Sequence, residues 1–140
     1  MHGVLLKKVD HIGIVVRDLD EAVAAYSKGL GIEVERRAEV PAIQLKIAIL
    51  KVGGMEIELL QYQDPEHPLV RSLNVQQPGL HHIGYAVEGL EGVLDALRAN
   101  GCVVLERFPR KGIFGKIAFL APPHSSQERI EIIERPGAHP

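Results

Sequence analysis

Apolar and polar positions along the chain fall into two runs of the same kind. Residues 7–16 alternate and are rich in β-branched side chains, which predicts a strand. Asp18 or Asp20 then caps a helical stretch in which Leu19, Val23 and Tyr26 share one face, and Gly29 to Gly31 end it. Strands are predicted near 32–40, 43–51 and 55–62. The second run opens with a strand at 80–87 and a helix at 90–99 with Leu90, Val93, Leu94 and Leu97 on one side. Asn100-Gly101 terminates that helix, and strands follow near 102–107, 115–121 and 128–134. Each run is βαβββ. Between them, 63–79 carries Pro65, Pro68 and Pro78 and reads as a linker with a short helical turn around Leu69 to Leu73. Two loops, 108–114 and 121–127, are expected to contact substrate.

The likeness of the two runs extends to particular residues. Asp10-His11-Ile12-Gly13-Ile14-Val15-Val16 aligns with His81-His82-Ile83-Gly84-Tyr85-Ala86-Val87 at an offset of 71 (82 − 11). Lys46-Ile47-Ala48-Ile49-Leu50 aligns with Lys116-Ile117-Ala118-Phe119-Leu120 at 70 (116 − 46), and Ile57-Glu58-Leu59 with Ile130-Glu131-Ile132 at 73 (131 − 58). Shared β propensity explains matched Val, Ile and Leu; it does not explain paired histidines and paired glutamates. A half of this size cannot bury a sheet face alone. The expected fold is therefore α+β. Two βαβββ modules, about 7–62 and 80–135, form one curved mixed sheet with helices outside and an open central cleft, making residues 1–140 a single domain.

Composition narrows the function. With 46% hydrophobic and 24% charged residues among 140, the chain has the balance of a globular protein able to fold without a structural metal. A formal net charge of −2 and no basic run argue against nucleic acid as a partner. No apolar run approaches the roughly 20 residues that span a membrane, and no signal peptide is apparent. The single cysteine, Cys102, can form no intrachain disulfide and reads as a small apolar residue. The cytoplasm is the expected location.

The repeated polar residues carry the chemistry. His11 and His82 lie on strands and are each followed at i+2 by a glycine, which leaves room beside a ring. Glu58 and Glu131 lie inside apolar strands, where a carboxylate is costly unless solvated, paired or bound to a cation. Two imidazoles and two carboxylates suit Co, Ni, Zn, Mn or Fe(II) and leave two positions open for a chelating substrate. Singly, each residue has an ordinary alternative: a strand histidine hydrogen-bonded in a core, or a glutamate on a solvent face. His81 competes with His82 as ligand, and the repeat favours His82. Glu56, Glu128 and Glu134 read as solvated, and His2, His67, His124 and His139 as incidental.

Paired βαβββ modules with this ligand pattern resemble the vicinal oxygen chelate superfamily, which holds glyoxalase I, extradiol dioxygenases and antibiotic-resistance proteins. The resemblance covers residues 7 to 135. Locally it is nearest to the methylmalonyl-CoA epimerases. It rests on Asp10-His11-Ile12-Gly13-Ile14-Val15-Val16, Ile57-Glu58-Leu59-Leu60, Gly79-Leu80-His81-His82-Ile83, and Gly115-Lys116-Ile117-Ala118-Phe119-Leu120 with Pro122 and Ile130-Glu131. The departures fall at Gln61 to Pro68, Val40 to Gln44 and Ala121 to Arg129, in loops that contact substrate in that family.

The resemblance implies an isomerase that abstracts a proton alpha to a metal-chelated thioester carbonyl, through an enolate. It implies a divalent cation held by His11, Glu58, His82 and Glu131, with Glu131 also moving a proton. The second acid or base is unassigned among Lys46, Gln44 and Glu58. An acyl-CoA substrate would meet Arg110, Lys111 and Lys116, whose ordinary alternative is a solvated loop, and a homodimer is expected. The rival readings are a glyoxalase-type lyase, a dioxygenase in which Glu58 is surplus, and a non-catalytic small-molecule-binding protein.

Overall fold

The computed structural model describes residues 5–105, 107–121 and 128–137. By compactness the described residues fall into two units. One runs from His11 to His82; the other comprises the residues up to Asp10 and those from Ile83 onward.

The first unit holds most of strand β1 (Lys8–Val15), helix α1 (Leu19–Ala24), β2 (Val34–Val40), β3 (Leu45–Val52) and β4 (Met55–Tyr62). Its strands lie in the order β2-β3-β4-β1. β2, β3 and β4 are antiparallel neighbours, while β1 runs parallel to β4, so the helical crossover returns the chain to the far side of the ladder. Asp18 caps α1 by accepting from the Glu21 amide. The helix continues into a π-helical turn, Ala25–Gly29, and Gly31 leaves it with a φ of +71°. The predicted stripe is the buried one: Leu19 packs with Ala48, Leu50 and Leu59, and Val23 and Tyr26 flank them. The linker holds a 3-10 turn at Arg71–Leu73, near the helical turn read from sequence. Val70, Leu73 and Val75 anchor it in the interior.

Strand β5 (Gly79–Ala86) carries the chain into the second unit, which continues with α2 (Leu90–Ala99), β6 (Arg110–Lys111), β7 (Lys116–Leu120) and β8 (Arg129–Glu134). The strand order there is β5-β8-β7-β6. Leu90, Leu94 and Leu97 pack on Ala118, Leu120 and Ile132, with Val93 and Cys102 at the edge of the cluster. Asn100 caps α2 at its C-terminus, and Gly101 follows with a φ of +89°.

One element departs from expectation. Residue 106 lies outside the described residues, and 102–105 and 107 do not form a regular strand. Among the described residues there, Val104 bridges Leu120, supported by Leu105 N–H donating to the Phe119 carbonyl at 2.8 Å and Ala121 N–H to the Val103 carbonyl at 3.0 Å. Arg107 has a φ of +72°, which breaks the extended backbone that a ladder requires. The edge strand forms later, at Arg110–Lys111, inside the stretch expected to be loop; it pairs with Ile117 and Lys116. Of the second expected substrate loop, residues 122–127 lie outside the described residues. Both βαβββ modules, and with them the α+β class, are as the hydrophobic pattern predicts.

Candidate metal centre

His11 projects from β1 on the face it shares with Gly13 and Val15, and all three are buried. In the parallel register Gly13 stands beside Glu58 on β4, so the carboxylate lies two residues along the ladder from the histidine. His82 comes from β5. Exposure is 0% for His11, 2% for His82 and 6% for Glu58. The Nε2 atoms of His11 and His82 are 3.1 Å apart, and Glu58 Oε1 lies 3.8 Å from each. Ligand atoms about 2.1 Å from one cation stand roughly 3.0–3.4 Å apart in octahedral or tetrahedral geometry. The imidazole pair meets that spacing, and the carboxylate is a few tenths of an ångström outside it. Three buried polar groups converging in this way form a donor set that suits a borderline divalent ion.

The glycine beside His11 has a different task from the one its position suggested. A Cβ on Gly13 would lie 2.1 Å from Cε1 of His82 and 2.5 Å from its Nε2. Gly13 therefore makes room for the histidine of β5, not for the ring on its own strand.

Behind His82 stands His81, also buried. The Nδ1 atoms of the two rings are 2.7 Å apart, and Nε2 of His81 is in short contact with the Leu73 carbonyl of the linker turn. The residue equivalent to His81 in the repeat, Asp10, is instead gripped by Arg135, whose Nε and Nη2 donate at 2.9 and 2.7 Å.

Glu131 lies on β8 in register with Phe119 and is 6% exposed. Three residues beyond it, Glu134 is not the solvated end the sequence suggested, because its Oε1 accepts from the Leu90 amide at 2.9 Å and caps α2. The first unit does the same: Gln61, three residues beyond Glu58, accepts from the Leu19 amide at 2.6 Å. Glu56 also differs from expectation. It is half-buried and receives Arg36 Nη1 at 3.4 Å. Sequence reading missed these supports, although the shared i+3 spacing of Gln61 and Glu134 from the two glutamates was visible.

The remaining sites lie outside this convergence. Gln44 and Lys46 are exposed. Arg110 and Lys111 are exposed on β6, and Lys116 forms a surface ion pair with Glu91 at 3.1 Å. Lys111 and Lys116 border an open hollow of about 350 Å³ together with Ile113, Glu134 and Arg135. His67 organises the linker by accepting from the Leu69 amide at 3.1 Å. His2, His124 and His139 lie outside the described residues. Among the described residues, no helix is long and apolar enough to cross a membrane.

Comparison with known proteins places this geometry in context. An uncharacterised protein, YqjC, of Bacillus subtilis is 30% identical over 133 residues, which cover 94% of this chain and 95% of that one. The ethylmalonyl-CoA/methylmalonyl-CoA epimerase of Cereibacter sphaeroides is 31% identical over 121 residues, covering 84% and 90%. A solved structure of a single-substitution variant of Streptomyces coelicolor methylmalonyl-CoA epimerase in complex with 2-nitronate-propionyl-CoA superposes with a TM-score of 0.80 at 27% identity, over 96% of this chain and 99% of that one. A sequence profile matches residues 10–119, and by it the chain belongs to the Glyoxalase/Bleomycin resistance protein/Dioxygenase superfamily.

Proposed function

We propose that the protein is a metal-dependent epimerase of the methylmalonyl-CoA epimerase type. The observation that carries the reading is the buried convergence of His11, His82 and Glu58 in a chain whose relatives include such epimerases. Each imidazole offers the cation a neutral nitrogen, and Glu58 offsets part of its charge. Glu131 joins as the fourth ligand; its support is its burial and its equivalence to Glu58 in the repeat. A divalent cation, whether Co, Ni, Zn, Mn or Fe, would supply Lewis-acid polarisation of the two substrate oxygens that chelate it.

The protein's own residues do the rest. Burial withdraws the reacting carbon from water, and Glu131 moves the proton alpha to the thioester carbonyl. Arg110, Lys111 and Lys116 meet the phosphates of the CoA tail; their support is their clustering on the β6–β7 hairpin. Proton exchange at C2 of methylmalonyl-CoA in deuterated water, with cobalt-loaded protein, tests the reading. Exchange well above background is expected. Background exchange, with conversion of a glutathione hemithioacetal instead, would overturn it in favour of the lyase.

A further inference from the structure

We infer that His81 is a positioning residue that fixes the tautomer of His82, through a relay running from the Leu73 carbonyl to His81 and on to His82. The inference rests on the proposed metal centre for its purpose, but not for its geometry.

The chain of donors and acceptors leaves one arrangement for neutral rings. The Leu73 carbonyl can only accept, so Nε2 of His81 carries a proton and donates it. A neutral imidazole protonated at Nε2 has its lone pair at Nδ1. The 2.7 Å contact between the two Nδ1 atoms is then a hydrogen bond donated by His82. His82 is therefore the Nδ1–H tautomer, with its remaining lone pair on Nε2. That lone pair faces His11 Nε2 at 3.1 Å and Glu58 Oε1 at 3.8 Å. The two rings are near-perpendicular, at 86°, with centroids 5.0 Å apart.

A ligating histidine commonly has its second nitrogen held by an outer partner that sets tautomer and ring direction, and loss of that partner typically lowers metal affinity by about 10–100-fold. Here the outer partner is itself a histidine, oriented by a main-chain carbonyl of the Arg71–Leu73 turn. A leucine side chain contributes nothing to the relay beyond anchoring that turn in the core. The accepting group is a main-chain carbonyl, so no residue type marks it in the sequence.

Two variants and two measurements test the relay. His81→Phe fills the site but neither accepts from His82 nor donates to Leu73. His81→Gln can do both, with its amide oxygen toward His82 and its amide nitrogen toward the carbonyl. In metal-free wild-type protein at neutral pH, long-range proton–nitrogen correlation spectra should show His82 protonated at Nδ1 and bare at Nε2. His81→Phe should give a tautomer mixture at His82 and about 10–100-fold weaker cobalt(II) binding, read from the visible absorption of the cobalt protein. His81→Gln should restore both readouts to within about fivefold of wild type. A wild-type His82 protonated at Nε2, or His81→Phe protein that is folded and binds cobalt(II) as tightly as wild type, overturns the relay. Wild-type protein that takes up no cobalt(II) overturns the metal centre instead, and the metal-free spectra still decide the tautomer.

Discussion

Gly13 is the residue on which the site turns most sharply. With a Cβ placed 2.1 Å from Cε1 of His82, Gly13→Ala must displace the ring or spread the backbone. Overpacking of this kind costs about 1–3 kcal/mol. The functional effect should be larger: at least about tenfold loss of cobalt(II) affinity in protein that still unfolds cooperatively, compared by absorption titration and urea unfolding. The two histidines, the two glutamates and this glycine were all legible, because the repeat singled them out against a background of Val, Ile and Leu. What could not be read was which ring the glycine serves. Alternation along a strand tells which residues share a face, and it cannot tell which side chain from another strand fills the space above them. The same blindness hid Arg36 beside Glu56 and Arg135 beside Asp10.

The last strand of each module holds both a buried glutamate and, one helical-turn count later in sequence, the side chain that caps the module's helix. Gln61 and Glu134 each take an amide hydrogen from the first residue of their helix. Removing either should cost about 1 kcal/mol, as loss of a helix cap does. Gln61→Ala and Glu134→Ala should both lower the urea midpoint, whereas Glu134→Gln, which retains an acceptor oxygen, should recover most of the loss. Gly115 is a harsher case. Its φ is +153°, and a Cβ there would lie 2.4 Å from the Glu134 carbonyl oxygen. Since backbone cannot swing aside as a side chain can, Gly115→Ala should destabilise by about 1–3 kcal/mol in the same assay. Helices and central strands were readable because their apolar periods match the cores they enter: Leu19, Val23 and Tyr26 in one unit, Leu90, Leu94 and Leu97 in the other. The edge strand of the second module was not, because its position is set by the left-handed Arg107 and by the Gly112–Gly115 turn, where Gly112 N–H donates to the Gly115 carbonyl at 2.7 Å. Apolar content in 102–105 carries no record of either.

For the molecule as a whole, a cation that binds only the folded chain must stabilise it. At a free metal concentration a hundredfold above Kd the gain is about 2.7 kcal/mol. For a chain of this size that corresponds to a rise in Tm of roughly 5–10 °C, measurable by calorimetry with and without cobalt(II). A triple change of His11, Glu58 and His82 to alanine should abolish the rise. The α+β class was visible from the hydrophobic pattern, and the doubling of the module from the spacing of the matched segments. The braces behind the two histidines were not, since Asp10 and His81 are held by different partners.

That difference reaches further than the site. The residues before the two histidines are equivalent in the repeat, yet Asp10 leans on an arginine beyond the last strand, whereas His81 leans on the peptide that joins the modules. A protein built from two identical copies of either half would duplicate the ligands and lose one of the two braces behind them. Neither half can therefore stand in for the other, and the joint between them is part of the support and not only a spacer.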